Sequence, residues 1–135
     1  MKFQITTDYA IRIMCYLLEH KNESATAKHI SSELGITYQY FMKVINRLKQ
    51  ANLVRTIQGC NGGYMLAHPN KVISLYDVIR IMEGDLIINN CLAPEGFCSR
   101  DATPTCQLHK VFESLQYDLI EKLESVKLND ITMCQ

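Results

Sequence analysis

The chain has 135 residues, 47% of them hydrophobic and 21% charged, and its acidic and basic side chains balance to a net charge of zero. That length suits one domain with an appended element, and the composition supports a real core and excludes a disordered chain. Overall charge gives no pointer to a nucleic-acid partner, so any such pointer must come from how the charges are distributed.

A first helix is expected over residues 7–20, where Ile11, Met14, Cys15 and Leu18 mark one buried face and Asp8 sits in the first turn. The polar run Lys21-Asn22-Glu23-Ser24 ends it. Thr26 then caps a short second helix with Ala27, Ile30 and Leu34 inward, and Gly35 supplies a left-handed C-cap. Thr37 caps a third helix over 37–50. Its buried face is Phe41, Val44, Ile45 and Leu48, and its other face carries Gln39, Met42, Lys43, Asn46 and Arg47.

After residue 52 the period changes from helical to alternating. Residues 53–57 and 64–67 read as two strands joined by the glycine-rich turn 58–63, a β-hairpin. Ser74 is the expected cap of a helix over 75–83, with Leu75, Val78, Ile79 and Met82 apolar and Gly84 as its stop. A loop over 89–104 follows and holds Pro94 and Pro104. The last helix is expected over 105–127, roughly 34 Å long at the α-helical rise. Leu108, Val111, Phe112, Leu115, Leu119, Leu123 and Val126 form its apolar stripe, which asks for cover either from its own domain or from the same helix of a second subunit.

Two short helices joined by a glycine turn and followed by a hairpin describe a winged helix-turn-helix, with 37–50 as recognition helix. The fold class is therefore mainly α with a small β-hairpin, organised as a DNA-binding domain over 1–84, a cysteine-rich loop over 85–104 and a dimerisation helix with tail over 105–135. Charge supports the DNA partner. Between residues 37 and 71 stand Lys43, Arg47, Lys49, Arg55 and Lys71 and no Asp or Glu, where even mixing would place about three or four acids. Tyr38, Tyr40, Lys49 and Arg55 suit phosphate contact, Gln39, Met42 and Lys43 suit base edges, and Gln58 and Asn61 at the hairpin tip suit a minor groove. A homodimer would read a pseudo-palindromic operator.

The N-terminus has neither a continuous apolar stretch nor a small-residue cleavage site, and the apolar run 11–18 is far shorter than the roughly 20 residues of a membrane span. A cytoplasmic protein without a membrane partner is expected. No P-loop, dinucleotide fingerprint or nucleophile elbow occurs, which argues against an enzyme.

Six cysteines in such a chain are not a disulfide framework. Cys15 reads as core, Cys134 as a free thiol near the end, and Cys60 lies at the hairpin tip. Cys91, Cys98, Cys106 and His109 cluster as C-x6-C-x7-C-x2-H. Three thiolates and an imidazole can hold zinc, an iron–sulfur cluster or nothing. The loop is expected to be exposed, and Cys106 opens the last helix, where the dipole favours an anion.

The start Thr7-Asp8-Tyr9-Ala10-Ile11-Arg12, the hairpin motif Gly59-x-x-Gly62-Gly63-Tyr64-x-Leu66 and the three-cysteine loop before a long helix resemble the IscR/NsrR-type bacterial regulators over nearly the whole chain. The resemblance implies a homodimeric repressor or activator with a long-helix interface, and an iron–sulfur cluster on Cys91, Cys98 and Cys106. IscR-like members add a histidine one turn after the third cysteine, here His109, on a 2Fe–2S cluster. Nitric-oxide-sensing members can add an aspartate from the partner's first helix, here Asp8, on a 4Fe–4S cluster. Thr103-Pro104-Thr105-Cys106 and Asp8 resemble the NsrR branch. Two departures stand out: the cysteine spacings are longer than usual, and Gln58 stands where many relatives carry arginine. Zinc alone or cluster-free thiol oxidation at Cys91, Cys98 or Cys106 are the competing chemistries.

Overall fold

Three hydroxyl side chains set the helix starts. In a computed structural model, which describes residues 1–131, Thr26 accepts from the His29 amide at 3.1 Å and Thr37 from the Tyr40 amide at 3.3 Å. Ser74 and Asp77 form a reciprocal capping box, with bonds of 2.9 and 3.0 Å. Each cap satisfies an otherwise orphaned amide and contributes about 1 kcal/mol. The helices they open are α2 (Ala27–Leu34), α3 (Tyr38–Gln50) and α4 (Leu75–Glu83). Gly35 ends α2 in the left-handed region at φ 67°, turning the chain directly into α3.

The first helix, α1 (Ile5–Glu19), begins two residues earlier than the expected 7–20. Its N-cap Gln4 makes no side-chain capping bond. Instead the Glu83 carboxylate, from the end of α4, accepts from the Gln4 amide at 2.8 Å and from the Thr7 hydroxyl at 2.5 Å. An acceptor brought from another helix has no local signature. The buried arc of α1 is also wider than one stripe. Met14, Cys15 and Leu18 are buried as expected and Ile11 only half-buried, while Ala10, Ile13 and Leu17 join the core. The reason is that α1 touches α2, α3, α4, the hairpin and the C-terminal turn at once.

The strands β1 (Val54–Ile57) and β2 (Gly63–Leu66) pair antiparallel, Val54 opposite Leu66 and Ile57 opposite Gly63. Ala25 exchanges two backbone bonds with Tyr64, at 3.2 and 2.8 Å, and so lays the α1–α2 connection along the outer edge of β2. A Cβ on Gly63 would collide with the Ala25 carbonyl, so this close approach requires glycine.

The last helix, α5 (Gln107–Ser125), is two residues shorter at each end than the expected 105–127. At its start the Thr105 amide turns back to the Ala102 carbonyl at 3.0 Å. At its end the chain becomes extended, because residue 127 bridges Ser74, the Leu75 amide donates to Val126 and the Leu128 amide donates to Ile73. Leu128 is thereby buried in the core shared with α1 and α3. The apolar stripe of α5 reaches the core toward its C-terminal end, where Leu123, with Leu119 and Ile120 beside it, packs on Ile79 and Leu86. Leu108, Val111 and Leu115 remain 58%, 51% and 52% exposed. No helix among the described residues is long and apolar enough to cross a membrane. Cys134 lies outside the described residues.

Candidate functional site

The face of α3 opposite its core stripe is open. Tyr38, Gln39, Tyr40, Lys43 and Asn46 are exposed, while Met42 and Lys49 are half-buried. Met42 leans on the core side and receives the Tyr64 hydroxyl at 3.8 Å on its sulfur. In the wing Arg55, Gln58, Cys60 and Asn61 are all exposed, and Arg55 rests one nitrogen 3.4 Å from the Met65 sulfur. The tip is fixed by Ser24, whose hydroxyl donates to the Asn61 carbonyl at 2.6 Å. Recognition helix and wing therefore present one surface with basic and hydrogen-bonding side chains and no acid between residues 37 and 71.

Arg47 departs from its expected place among the DNA-facing residues. Its guanidinium donates to the Ile81 carbonyl at 2.6 Å and to the Met82 carbonyl at 3.2 Å. These carbonyls belong to the last turn of α4, where helical partners are missing and a cation is favoured. The head of Arg47 is therefore engaged within the molecule.

Asp8 is exposed on the first turn of α1 and pairs with Arg12 at 2.6 Å. Arg12 also donates to the Leu34 carbonyl at 3.2 Å and lies 5.2 Å from the Tyr9 ring centre. Tyr9 in turn meets Tyr40 edge-on at 5.7 Å. A continuous set of contacts thus runs from Asp8 to the turn before the recognition helix and to its first residues. The Asp8–Arg12 pair is legible in the sequence as an i,i+4 spacing; the roles of Ser24, Arg47 and Glu83 are not.

The cysteine loop closes on itself. A one-turn 3-10 helix spans Asn90–Leu92, and the Gly96 amide returns to the Ala93 carbonyl at 2.8 Å. A Cβ on Gly96 would stand 2.5 Å from the Asn90 carbonyl, so the turn is tight enough to demand glycine. Cys91, Cys98, Cys106 and His109 all line one cavity of about 260 Å³ between this loop and the start of α5. Asn89 donates to the Cys91 sulfur at 3.2 Å. Cys106 is the N-cap residue of α5 and makes no side-chain capping bond there. The Cys98 thiol is held below its ordinary value, chiefly by the backbone N–H of Ala102 and then that of Arg100, with the Arg100 charge and the Asp101 N–H adding and burial opposing.

His109 has a side chain only 17% exposed, with Nε2 3.7 Å from Glu113. Its Nδ1 is buried without a hydrogen-bond partner, a costly state for an imidazole nitrogen unless something else satisfies it. Three thiols and this orphaned nitrogen around one cavity are a donor set that fits a thiolate-ligated cluster. These side chains line one cavity without converging on a single point: among the described residues, no group of three or more His, Cys, Asp or Glu is arranged to hold a metal. Cys15 is buried in the core, as expected, and Cys60 is exposed on the wing, away from the other thiols.

Residues 3–133 match a family of regulators named Rrf2, described as an iron-dependent transcriptional regulator. The regulator NsrR of Bacillus licheniformis is 32% identical over 137 residues, an alignment that takes in 100% of this chain and 94% of that protein. Among solved structures, T. potens IscR superposes with a TM-score of 0.73 at 27% identity, covering 96% of this chain and 85% of that one. The global cysteine regulator CymR of B. subtilis superposes with a TM-score of 0.72 at 24% identity over 96% and 95% of the two chains, a likeness of fold. The winged-helix architecture with a long C-terminal helix is common to these structures and the present one.

Proposed function

This chain belongs to the Rrf2 family of transcriptional regulators, a non-enzymatic role, and from that membership we propose that it binds an operator in double-stranded DNA as a homodimer, under the control of an iron–sulfur cluster. The observation that carries the proposal is the cavity at the start of α5, where Cys91, Cys98, Cys106 and His109 meet and His109 Nδ1 lacks a partner. Cys91, Cys98 and Cys106 would be thiolate ligands. His109 is favoured as the fourth, because it lines the same cavity as the three thiols and has an unpartnered Nδ1, whereas Asp8 of the same chain does not line that cavity. The partner subunit's Asp8 is the competing fourth ligand. When bound, the cluster would supply a centre that oxygen, nitric oxide or iron status can alter.

The chain's own residues do the rest. Tyr38, Tyr40, Lys49 and Arg55 would meet phosphates; Gln39 and Lys43 would meet base edges, while Met42, turned to the core side, would not; Gln58 and Asn61 would enter the minor groove. Leu108, Val111 and Leu115 form an uncovered apolar row on α5, and Phe3 and Ile5 are exposed near the N-terminus. A second copy of α5 is the natural cover for such a row. Two recognition helices would then be spaced by that dimer, and ordering the cysteine loop would change the equilibrium between spacings in proportion to its differential fit to them. Regulatory action of this kind belongs in the cytoplasm.

One observation favours a second reading, a cluster-free thiol switch. Cys98 is a thiol with a lowered pKa at the rim of the cavity, the character expected of an oxidisable cysteine. Iron and acid-labile sulfide analysis of protein purified without oxygen, with its visible spectrum, separates the two. Coloured protein with iron and sulfide in matching amounts is expected. Colourless protein that stays iron-free after reconstitution would leave the thiol switch, which peroxide treatment and mass mapping of Cys91, Cys98 and Cys106 would then test.

A further inference from the structure

The last turn of α4 is where three parts of the molecule meet. Arg47 reaches it from the recognition helix and donates to the Ile81 and Met82 carbonyls. Glu83, the next residue, turns the other way and holds the start of α1 through the Gln4 amide and the buried Thr7 hydroxyl. Gly84 then breaks the helix at φ 81°, and the chain runs on through Asp85, paired with Arg80 at 3.4 Å, toward the cysteine loop. Asp8, the alternative ligand, directly follows Thr7. Both segments that carry candidate ligands are therefore anchored to one helix end, and so is α3.

We propose that Arg47 and Glu83 are positioning residues that make the C-terminal turn of α4 a junction, fixing the angle of the recognition helix to the segment entering the cysteine loop. The proposal deepens the DNA-binding reading above and rests on it for the role of α3. The physics is that of a helix end. Unsatisfied carbonyls attract the planar guanidinium, which bridges two of them at once and holds α3 to α4. The Glu83 carboxylate stands at the positive end of α1 and holds that helix to the same turn. A displacement of the turn moves both helices together, because each contact is short and directional. An exposed basic residue on the open face of a recognition helix would ordinarily be taken for a phosphate contact, and the two roles have different signatures. Losing a phosphate contact lowers the dependence of log affinity on log salt by about 0.9, whereas losing a positioning residue weakens binding without changing that slope.

The test uses the full chain, wild type and the variants Arg47→Ala, Glu83→Gln and Lys43→Ala. The probe is a duplex enriched from a random-sequence pool by the wild-type protein, bound over a range of KCl concentrations. Exchange of the Gln4 amide is followed by NMR on the same proteins without DNA. Lys43→Ala is expected to lower the salt slope by about 0.9. Arg47→Ala and Glu83→Gln are expected to keep the wild-type slope and to bind about tenfold more weakly, a typical coupling between sites. Arg47→Ala is also expected to speed exchange at Gln4, which Arg47 does not touch and which Glu83 ties to the same α4 turn. A slope reduced by about 0.9 in Arg47→Ala would make Arg47 a phosphate contact and overturn the proposal. So would unchanged Gln4 exchange in that variant, or undiminished affinity in Glu83→Gln. Should Arg47→Ala fail to fold, Arg47→Lys replaces it with the same exchange criterion, because a single ammonium lacks the two-carbonyl fork. If the wild-type protein enriches no duplex, the DNA reading fails by itself, and Gln4 exchange still decides whether the junction exists.

Discussion

Asp8 and Arg12 form an ion pair at 2.6 Å across one turn of α1, with Asp8 half exposed. An exposed pair of this spacing contributes less than about 1 kcal/mol, so Asp8 is free to exchange partners at little cost. His109, by contrast, lines the cavity of the three thiols, and its Nδ1 is buried and unpaired. Asp8→Asn is therefore expected to keep its iron and to shift stability by less than about 1 kcal/mol, while His109→Ala is expected to lose most of its cluster. Iron per subunit in the two variants checks this. The reverse pattern would assign the fourth ligand to the partner subunit's Asp8.

The cavity brings together three thiols and leaves Cys15 and Cys60 elsewhere. Replacing Cys91, Cys98 or Cys106 by alanine is expected to abolish the visible absorption of protein purified without oxygen. Cys60→Ala is expected to leave the spectrum unchanged. Loss of colour in Cys60→Ala would place a ligand on the wing and break the assignment.

The wing depends on a contact that admits no side chain. A Cβ at Gly63 would strike the Ala25 carbonyl and stand 2.9 Å from the Thr26 amide nitrogen. Gly63→Ala must push the α1–α2 connection off β2, and a loss of about 2–4 kcal/mol in stability is expected. Ser24→Ala removes only the bond to the Asn61 carbonyl, so about 1 kcal/mol is expected there. Urea unfolding of both variants checks the difference.

These contacts also show what the sequence could and could not display. Thr26, Thr37 and Ser74 announce their helices because capping chemistry is local, the partner amide lying three residues on, and Gly35 marks the end of α2 through its left-handed backbone. The hairpin was legible for a similar reason, as two alternating runs around a glycine turn, each within one residue of the observed strand. Glu83 capping α1 and Arg47 capping α4 were not legible, since each joins residues far apart in the chain. A polar face marks a residue as outside the core and says nothing about whether its head is free. The wide burial of α1 at Ala10, Ile13 and Leu17 escaped for a related reason, because a single amphipathic stripe assumes one packing surface and α1 has several. The cysteine spacing pointed to a site, yet the gathering of Cys91 with Cys106 and His109 in one cavity needed the turn at Gly96.

The uncovered row on α5 predicts a monomer when it is charged. Val111 and Leu115 are both about half exposed and lie one turn apart, so Val111→Glu with Leu115→Glu leaves the folded subunit intact while setting like charges against the second copy. Sedimentation is expected to show a dimer for wild type and a monomer for the double variant, with unchanged helical content. A dimer surviving both charges would place the interface on another face.

Burial, and secondarily the Glu19 carboxylate, pushes the Cys15 thiol from its ordinary 9.0 up to about 11. The unfolded chain ionises at the lower value, so stability is complete below about pH 9 and falls as pH rises toward about 11. The raised Tyr16 and Tyr64 hydroxyls act in the same direction. The Cys15 share of the loss is about 2–3 kcal/mol. Cys15→Ala is expected to cost about 1–2 kcal/mol at neutral pH through lost packing and to flatten the alkaline decline. Urea midpoints of both proteins at about pH 8 and about pH 10.5 check the sign.

The most direct test of cluster-controlled DNA binding is the affinity of one enriched duplex for the same preparation before and after cluster loading, at fixed salt and without oxygen. Affinities differing by about fivefold or more, with the difference abolished in Cys106→Ala, are the expected result. Equal affinities for the loaded and unloaded protein would contradict the account, leaving a DNA-binding regulator whose cysteine loop does not govern it.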